Sequence, residues 1–302
     1  MKQRLISPLL ALAVLLMAPP PLLLGNVNTE LEDKSSDAMR VMTYNIRRDG
    51  VEKEEGRKWA ARLPLMLDVL KSANPGLIGL QEAKANQIND LVSDLPQYAS
   101  FGEGRGASWF GWGEDEHCPI LYDKNRYECI ASGTFSLNPS NVFTWIFDVQ
   151  GLGLLPRVCS WGKFKDTETS KVFYLYNTHL DHKFEQAQLN GLKAIKEHIK
   201  NQNDNAPVII TGDFNTRLTE KVRGVLEGYT PARELSKNVV GPTDTRTGWN
   251  DEELKPIDHI MLSDNAFAVL QYAVLESDKP YPSDHRPVVA DVKVEGSLAD
   301  ID

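Results

Sequence analysis

Six short stretches of this chain set acids, amides or histidines beside an apolar run: "TYNIR" (Thr43 to Arg47), "LQE" (Leu80 to Glu82), "NTHLDH" (Asn177 to His182), "GDFN" (Gly212 to Asn215), "IDHI" (Ile257 to Ile260) and "SDHRPV" (Ser283 to Val288). Taken singly, each has a plain explanation. An Asp or Asn after a strand caps a helix or makes an Asx turn, and a lone His beside a strand is a hydrogen-bonded structural residue. The repetition at separate strand ends is what points to a site, because strands of one core end at a common face. Glu82, Asp213, Asp258 and Asp284 would then share a pocket, and like charges a few ångströms apart cannot all stay ionised without a counter-charge. A divalent cation supplies it. The candidate ligands are oxygens, with no cysteine among them, which suits Mg²⁺, Mn²⁺ or Ca²⁺ better than zinc. His179 and His285 are then left for handling protons or stabilising phosphate.

Those residues need elements to hold them. From Met39 onward, short apolar runs alternate with helical patterns, the signature of an α/β domain. "RVMTYNI" reads as a strand and "RKWAARLPLMLDVLKSA" as a helix with Trp59, Leu63, Met66, Leu67 and Leu70 on one face and Pro64 at a first turn or kink. "GLIGLQE" is the next strand and "ANQINDLVSDL" the next helix. "PILYD", "YECIASGTFSL", "RVCSWGKF" and "KVFYLYNTHLD" then follow as strands joined by loops, which argues for an antiparallel portion of sheet. "EQAQLNGLKAIKEHIKNQ" is helical, with Leu189, Leu192, Ile195 and Ile199 along one face. "PVIITGDFN" is a buried strand that turns polar only at its C-terminal end. "IDHIML", "AFAVLQYAVL" and "RPVVADVKV" close the chain as strands.

The 302-residue chain is acidic, with 42 acids against 33 bases and a net charge of -9, so the steering that nonspecific duplex binding uses is missing from the molecule as a whole. Residues 1–25 differ from the rest. A basic start is followed by the apolar Leu5 to Leu24, as in a signal peptide, although the Pro19-Pro20-Pro21 run leaves an uncleaved membrane anchor as the alternative. The expectation is an exported protein, periplasmic or extracellular, with residues 26–38 as a linker and 297–302 as a tail. Cys118, Cys129 and Cys159 are odd in number and imply no disulfide framework.

Together and in this order, the six motifs resemble the endonuclease/exonuclease/phosphatase superfamily, over essentially the whole chain after Met39 (residues 39–296). The resemblance implies a four-layer α/β sandwich of two mixed sheets flanked by helices, like deoxyribonuclease I. It also implies a Mg²⁺- or Mn²⁺-dependent phosphoric ester hydrolase. On that pattern Glu82 is the principal metal ligand, with Asn45 and Asp284 near the ion. Asp213 orients or deprotonates the attacking water, and Asn215 holds it or a phosphate oxygen. Asp258 fixes His285, and His179 is a further donor to the phosphoryl oxygens. Arg157, Asn177 and Asp181 are candidates for the substrate phosphate.

The fold does not settle the substrate. A phosphodiesterase is the expected activity. An extracellular nuclease and a sphingomyelinase-like phospholipase stand as alternatives, and a secreted binding module as the reading without catalysis. The partner is accordingly a phosphate ester: nucleic acid, nucleotide, lipid headgroup or sugar phosphate. The chain is expected to be a monomer, with membrane association through its N-terminus as an option. Trp109, Phe110, Trp112 and Trp249, in loops near the site, either stack on a ligand or hold their loops together. The apolar stretch Asn141 to Pro156 is the one candidate for a lipid contact.

Overall fold

The computed structural model describes residues 27, 29–106, 115–137, 153 and 155–295. The apolar N-terminal segment, the tail, the loop with Trp109, Phe110 and Trp112, and most of the stretch Asn141 to Pro156 lie outside them. Among the described residues no helix is long and apolar enough to cross a membrane.

Two mixed sheets lie face to face. The strands are β1 (Met39–Asn45), β2 (Leu77–Gln81), β3 (Tyr98–Phe101), β4 (Ile120–Asp123), β5 (Tyr127–Ser136), β6 (Val158–Asp166), β7 (Val172–His179), β8 (Val208–Asp213), β9 (Tyr229–Pro231), β10 (Val239–Val240), β11 (Asp258–Ser263), β12 (Phe267–Val274) and β13 (Val288–Val294). The seven-stranded sheet runs β10-β12-β13-β1-β2-β4-β3 and the six-stranded sheet β5-β6-β7-β8-β11-β9. The expected antiparallel run is β5-β6-β7, whereas "PILYD" becomes β4 and pairs with β2 in the other sheet. Helices α1 (Trp59–Ala73) and α2 (Ala85–Asp94) cover the first sheet. Helices α3 (Glu185–Asn201) and α4 (Glu220–Val225) cover the second, and a short α5 (Ala232–Leu235) follows β9.

Strand alternation explains how a buried core and a polar site share the same strands. Along β1, Met39 and Val41 point between the sheets while Met42 and Tyr44 point outward to the helices. Thr43 and Asn45 continue the inward row. The same parity puts Leu77, Gly79 and Gln81 of β2 inside, with Phe173, Leu175, Asn177 and His179 of β7, and Ile209, Thr211 and Asp213 of β8. Each inward row therefore begins apolar and turns polar toward one end of the sandwich. Hydrophobic packing holds the sheets at the first end, and hydrogen bonds hold them at the second.

The transition between those ends is a buried polar seam. Asn177 donates from Nδ2 to Leu80 O at 2.7 Å and Pro119 O at 3.0 Å. Its Oδ1 accepts from Gln81 Nε2 at 2.7 Å and Thr211 Oγ1 at 3.2 Å. Gln81 Nε2 also donates to Thr43 Oγ1. The sheets approach so closely here that a Cβ on Gly79 would lie 2.5 Å from both Asn177 Oδ1 and Thr211 Oγ1. Asn177 was expected at the substrate phosphate. It has no exposed surface and its amide is spent on the seam, so it fastens the sheets instead.

Part of the expected linker is bound to the domain. Thr29 Oγ1 accepts from Glu276 N, Glu32 N donates to Gln271 Oε1, Glu32 O accepts from Arg40 Nη2, and Asp37 pairs with Lys293. Arg40 in turn makes a buried bidentate pair with Asp291 of β13, at 2.7 and 2.8 Å.

Replacing Asn177 with Ala removes four buried hydrogen bonds, to Leu80 O, Pro119 O, Gln81 Nε2 and Thr211 Oγ1, and should lower the unfolding free energy by about 2–4 kcal/mol. Urea denaturation followed by tryptophan fluorescence reads this directly, and a wild-type midpoint would contradict the seam's role.

Candidate active site

At the polar end, Asn45 closes β1, Glu82 follows β2, His179 and Asp213 close β7 and β8, Asp258 opens β11, and Asp284 and His285 precede β13. Of the residues expected at the site, these seven come together, and Asn215 joins them. Asn45 is the bridge: its Nδ2 donates to Glu82 Oε1 at 3.1 Å and to Asp213 Oδ2 at 2.9 Å, linking the two sheets. Its Oδ1 accepts from Arg47 N at 3.0 Å. Asn45 was expected beside the ion as a ligand. Its amide nitrogen ties both carboxylates together, and its oxygen, which accepts one backbone N–H, keeps a second lone pair.

Glu82 Oε2 and Asp284 Oδ2 converge on one point, marked by Arg47 Nη1 at 3.8 and 3.9 Å. Glu82 takes a left-handed backbone conformation (φ 59°) immediately past β2, which turns its side chain back over the strand end. Asp284 is held by its neighbour Ser283, whose Oγ donates to Asn45 O at 2.6 Å. Two convergent carboxylates with no sulfur nearby are a donor set for a hard divalent cation, so the residues fit Mg²⁺ or Mn²⁺. Asp213, Asp258 and His285 also lie within reach of a single ion. Their hydrogen bonds argue for a different use.

His285 Nδ1 is bonded to Asp258 Oδ2 at 2.9 Å, and the same oxygen accepts from Thr245 Oγ1 at 2.5 Å. Asp258 thereby fixes the imidazole, leaving Nε2 facing the site, 3.8 Å from Asp213 Oδ2. Burial opposes a charged imidazole here. The charge and hydrogen bond of Asp258, with Asp213 and Asp284 behind them, outweigh it and raise the pKa to about 10. Asp213 is pushed up to about 7, first by burial and then by Asp258. Burial also acts to raise Glu82, but Arg47 and the Asn45 hydrogen bond more than offset it and hold it ionised below its ordinary range.

His179 behaves oppositely. Burial, then Arg157 and Arg105, drive its pKa well below 6.5, so it is neutral. Its Nε2 accepts from Asn215 Nδ2 at 2.8 Å, which leaves the ring proton on Nδ1. Asn215 spends its other amide hydrogen on Leu180 O, and its backbone N–H donates to Asp213 Oδ1 at 2.8 Å.

Arg157 reaches the site. With Arg105 it lines a small recess bounded by Glu82, Cys118 and His179. Asp181 does not. Its Oδ1 accepts from Lys183 N and Phe184 N at 2.8 and 2.7 Å, and it anchors the start of α3 rather than meeting a phosphate. Arg286 forms ion pairs with Asp251 and Glu276. Trp249 packs under Arg57 and Arg62, whose guanidinium carbons lie 5.3 and 5.8 Å from its ring centre, so it holds its loop in place.

Two residues escaped the sequence. Arg62, on α1, is wholly buried and donates to Ile46 O, Arg47 O, Arg57 O and Pro282 O, which knits the loop after β1 to the loop before β13. Its only sequence signal is a charge at i+3 from Trp59 on the apolar face of the helix. Thr245 lies in the polar loop 13 residues before Asp258, and nothing in its neighbourhood marks it.

Residues 42–285 match the model of the Endonuclease/Exonuclease/phosphatase family. A mannosyl-6-phosphatase from Bacteroides thetaiotaomicron VPI-5482 superposes with a TM-score of 0.73 at 27% identity, covering 84% of this chain and 99% of that one. An endonuclease/exonuclease/phosphatase structure from Bacteroides vulgatus gives 0.75 at 28% identity, over 85% and 99%. The Drosophila melanogaster protein angel is 25% identical over 215 residues, 64% of this chain, and the match spans only 56% of that relative's length.

The raised Asp213 carboxyl has a consequence for stability in metal-free solution. The native state holds a proton that the unfolded state, with a pKa near 3.8, has lost, so stability falls as pH rises from about 4 to about 7. Asp213→Asn should remove that component, and its stability relative to wild type should climb across this window. Urea midpoints in chelator at several pH values measure it, and parallel profiles for the two proteins would contradict the shift.

Proposed function

The chain belongs to the endonuclease/exonuclease/phosphatase family, and from that premise we propose that it is a divalent-metal-dependent phosphoric ester hydrolase that breaks a P–O bond by in-line attack of water. The observation that carries the reading is the Asp258–His285 pair standing beside Asp213 and opposite the converging Glu82 and Asp284. That arrangement separates two tasks. Glu82 and Asp284 hold the ion, which when bound polarises the phosphoryl oxygens and offsets their charge. Asp213, with a pKa near neutrality, accepts a proton from the attacking water. His285 Nε2–H, held by Asp258, stabilises charge on the phosphoryl oxygens as the new bond from water forms and the bond to the leaving oxygen breaks. His179 adds a neutral donor through Nδ1, and Arg105 and Arg157 place positive charge at the neighbouring recess.

The substrate proposed is a small or single-stranded phosphoester. The net charge of -9 repels a long polyanion, and the cations at the site are few and buried, enough for one or two phosphates. A phosphodiester is the first reading. A sugar monophosphate is the second, supported by the 27% identity to a mannosyl-6-phosphatase.

Purified protein should hydrolyse bis-p-nitrophenyl phosphate or a hexose 6-phosphate only with added Mg²⁺ or Mn²⁺, and Glu82→Ala and His285→Ala should each lower turnover by roughly 10²-fold or more with the fold intact. Full activity in chelator would remove the metal from the mechanism. Efficient cleavage of long duplex DNA, unchanged between low and physiological salt, would overturn the substrate argument.

A further inference from the structure

Thr245 holds the Asp258–His285 pair from two sides. Its hydroxyl donates to Asp258 Oδ2 at 2.5 Å, the oxygen that also meets His285 Nδ1 at 2.9 Å. Its backbone carbonyl accepts from Arg286 N at 2.6 Å, and Thr247 N donates to Asp284 O at 2.9 Å, so the loop grips the chain on either side of His285. The direction of the hydroxyl hydrogen follows from its neighbours. Thr245 Oγ1 accepts from Ile257 N at 3.1 Å and Asp258 N at 3.0 Å, which uses both lone pairs and leaves one hydrogen to give. Lys255 O, at 3.3 Å, already accepts from Thr245 N and Arg246 N, so the hydrogen goes to Asp258. Among the described residues only Thr245 and His285 bond the Asp258 carboxylate, whose Oδ1 has no partner. Packing does not replace the bond, because a cavity of about 210 Å³ bordered by Pro231, Ile260 and Tyr272 lies beside Thr245 and Asp258.

We propose that Thr245 is a positioning residue of the hydrolytic reaction, whose hydroxyl fixes the carboxylate that aims His285 and whose carbonyl fixes the segment that carries the imidazole. This rests on the hydrolase reading above. Two side chains that hold only each other define their separation but not their direction. A third group, tied to the backbone of both, defines it. The Thr245 hydroxyl is such a group, since the N–H groups that open β11 pin its oxygen and Arg286 N pins its carbonyl. Without the hydroxyl, the carboxylate of Asp258 is free to turn toward the adjoining cavity, and His285 Nε2 loses its aim at the phosphoryl oxygens. A reacting group displaced by about 1 Å costs on the order of a hundredfold in rate, so the effect falls on turnover. Thr245 touches no substrate and acts through Asp258 alone.

The test is steady-state hydrolysis of bis-p-nitrophenyl phosphate and of a hexose 6-phosphate at saturating Mg²⁺ by the full chain. Wild type, Thr245→Val and Thr245→Ser are compared, each also combined with His285→Ala, with turnover expressed per folded molecule from near-ultraviolet circular dichroism. Thr245→Val should lower kcat by roughly ten- to a hundredfold with KM changed less than about twofold, whereas Thr245→Ser, which keeps the hydroxyl, should stay within about threefold of wild type. On the His285→Ala background Thr245→Val should cost nothing further, since the ring it acts through is gone. Thr245→Ala is read in the same way should the Val variant fail to fold. Wild-type kcat in Thr245→Val, an equal loss in Thr245→Ser, or the same fold-loss on both backgrounds overturns the inference while leaving the hydrolase reading intact. A wild-type protein that turns over neither substrate overturns both.

Discussion

Glu82, Asp213, Asp258 and Asp284 are gathered at one end of two packed sheets, and the rest of the site answers the problem their charge creates. Carboxylates buried near one another cannot all ionise without compensation. The compensation takes three forms. Glu82 and Asp284 converge on Arg47, Asp258 holds a charged His285, and Asp213, which gains least, is pushed toward neutrality. Roles in a hydrolytic reaction follow from these differences in environment, since one residue type supplies ligand, orienter and base according to what surrounds it.

Compensation on this scale requires that the two sheets keep a fixed separation at the polar end, where apolar packing no longer acts between them. The seam of Thr43, Gln81, Asn177 and Thr211 provides it, and Asn45 extends it into the site by bonding a carboxylate from each sheet. Arg62 does the same for the loops, using backbone carbonyls rather than acids as partners. Its charge is therefore buried without a carboxylate, and its pKa is lowered by that burial. Such a placement persists only where several surrounding elements determine it together.

The sequence made the strands and the convergence of their polar ends legible, because β-branched runs mark strands and an inward row that turns polar marks a face. It could not separate Asn177 from His179. Both lie on the inward face of β7, two residues apart, and only the packing of β2 against that face decides that the first is interior and the second lines the site. Asp181 was equally opaque, since a carboxylate that starts a helix and one that meets a phosphate look alike as single letters. Arg47 and Arg62 illustrate the converse. Charged residues read as surface by default, and their burial depends on partners from the far end of the chain.

The central claim is that Asp258 and His285 act as one unit on the phosphoryl group. A double-mutant cycle tests it most directly, with kcat measured at saturating Mg²⁺ for His285→Ala, Asp258→Asn and the double variant. If Asp258 works only through the imidazole it holds, the double variant is no slower than His285→Ala alone. Losses that simply multiply would mean the two side chains act independently and would contradict the account.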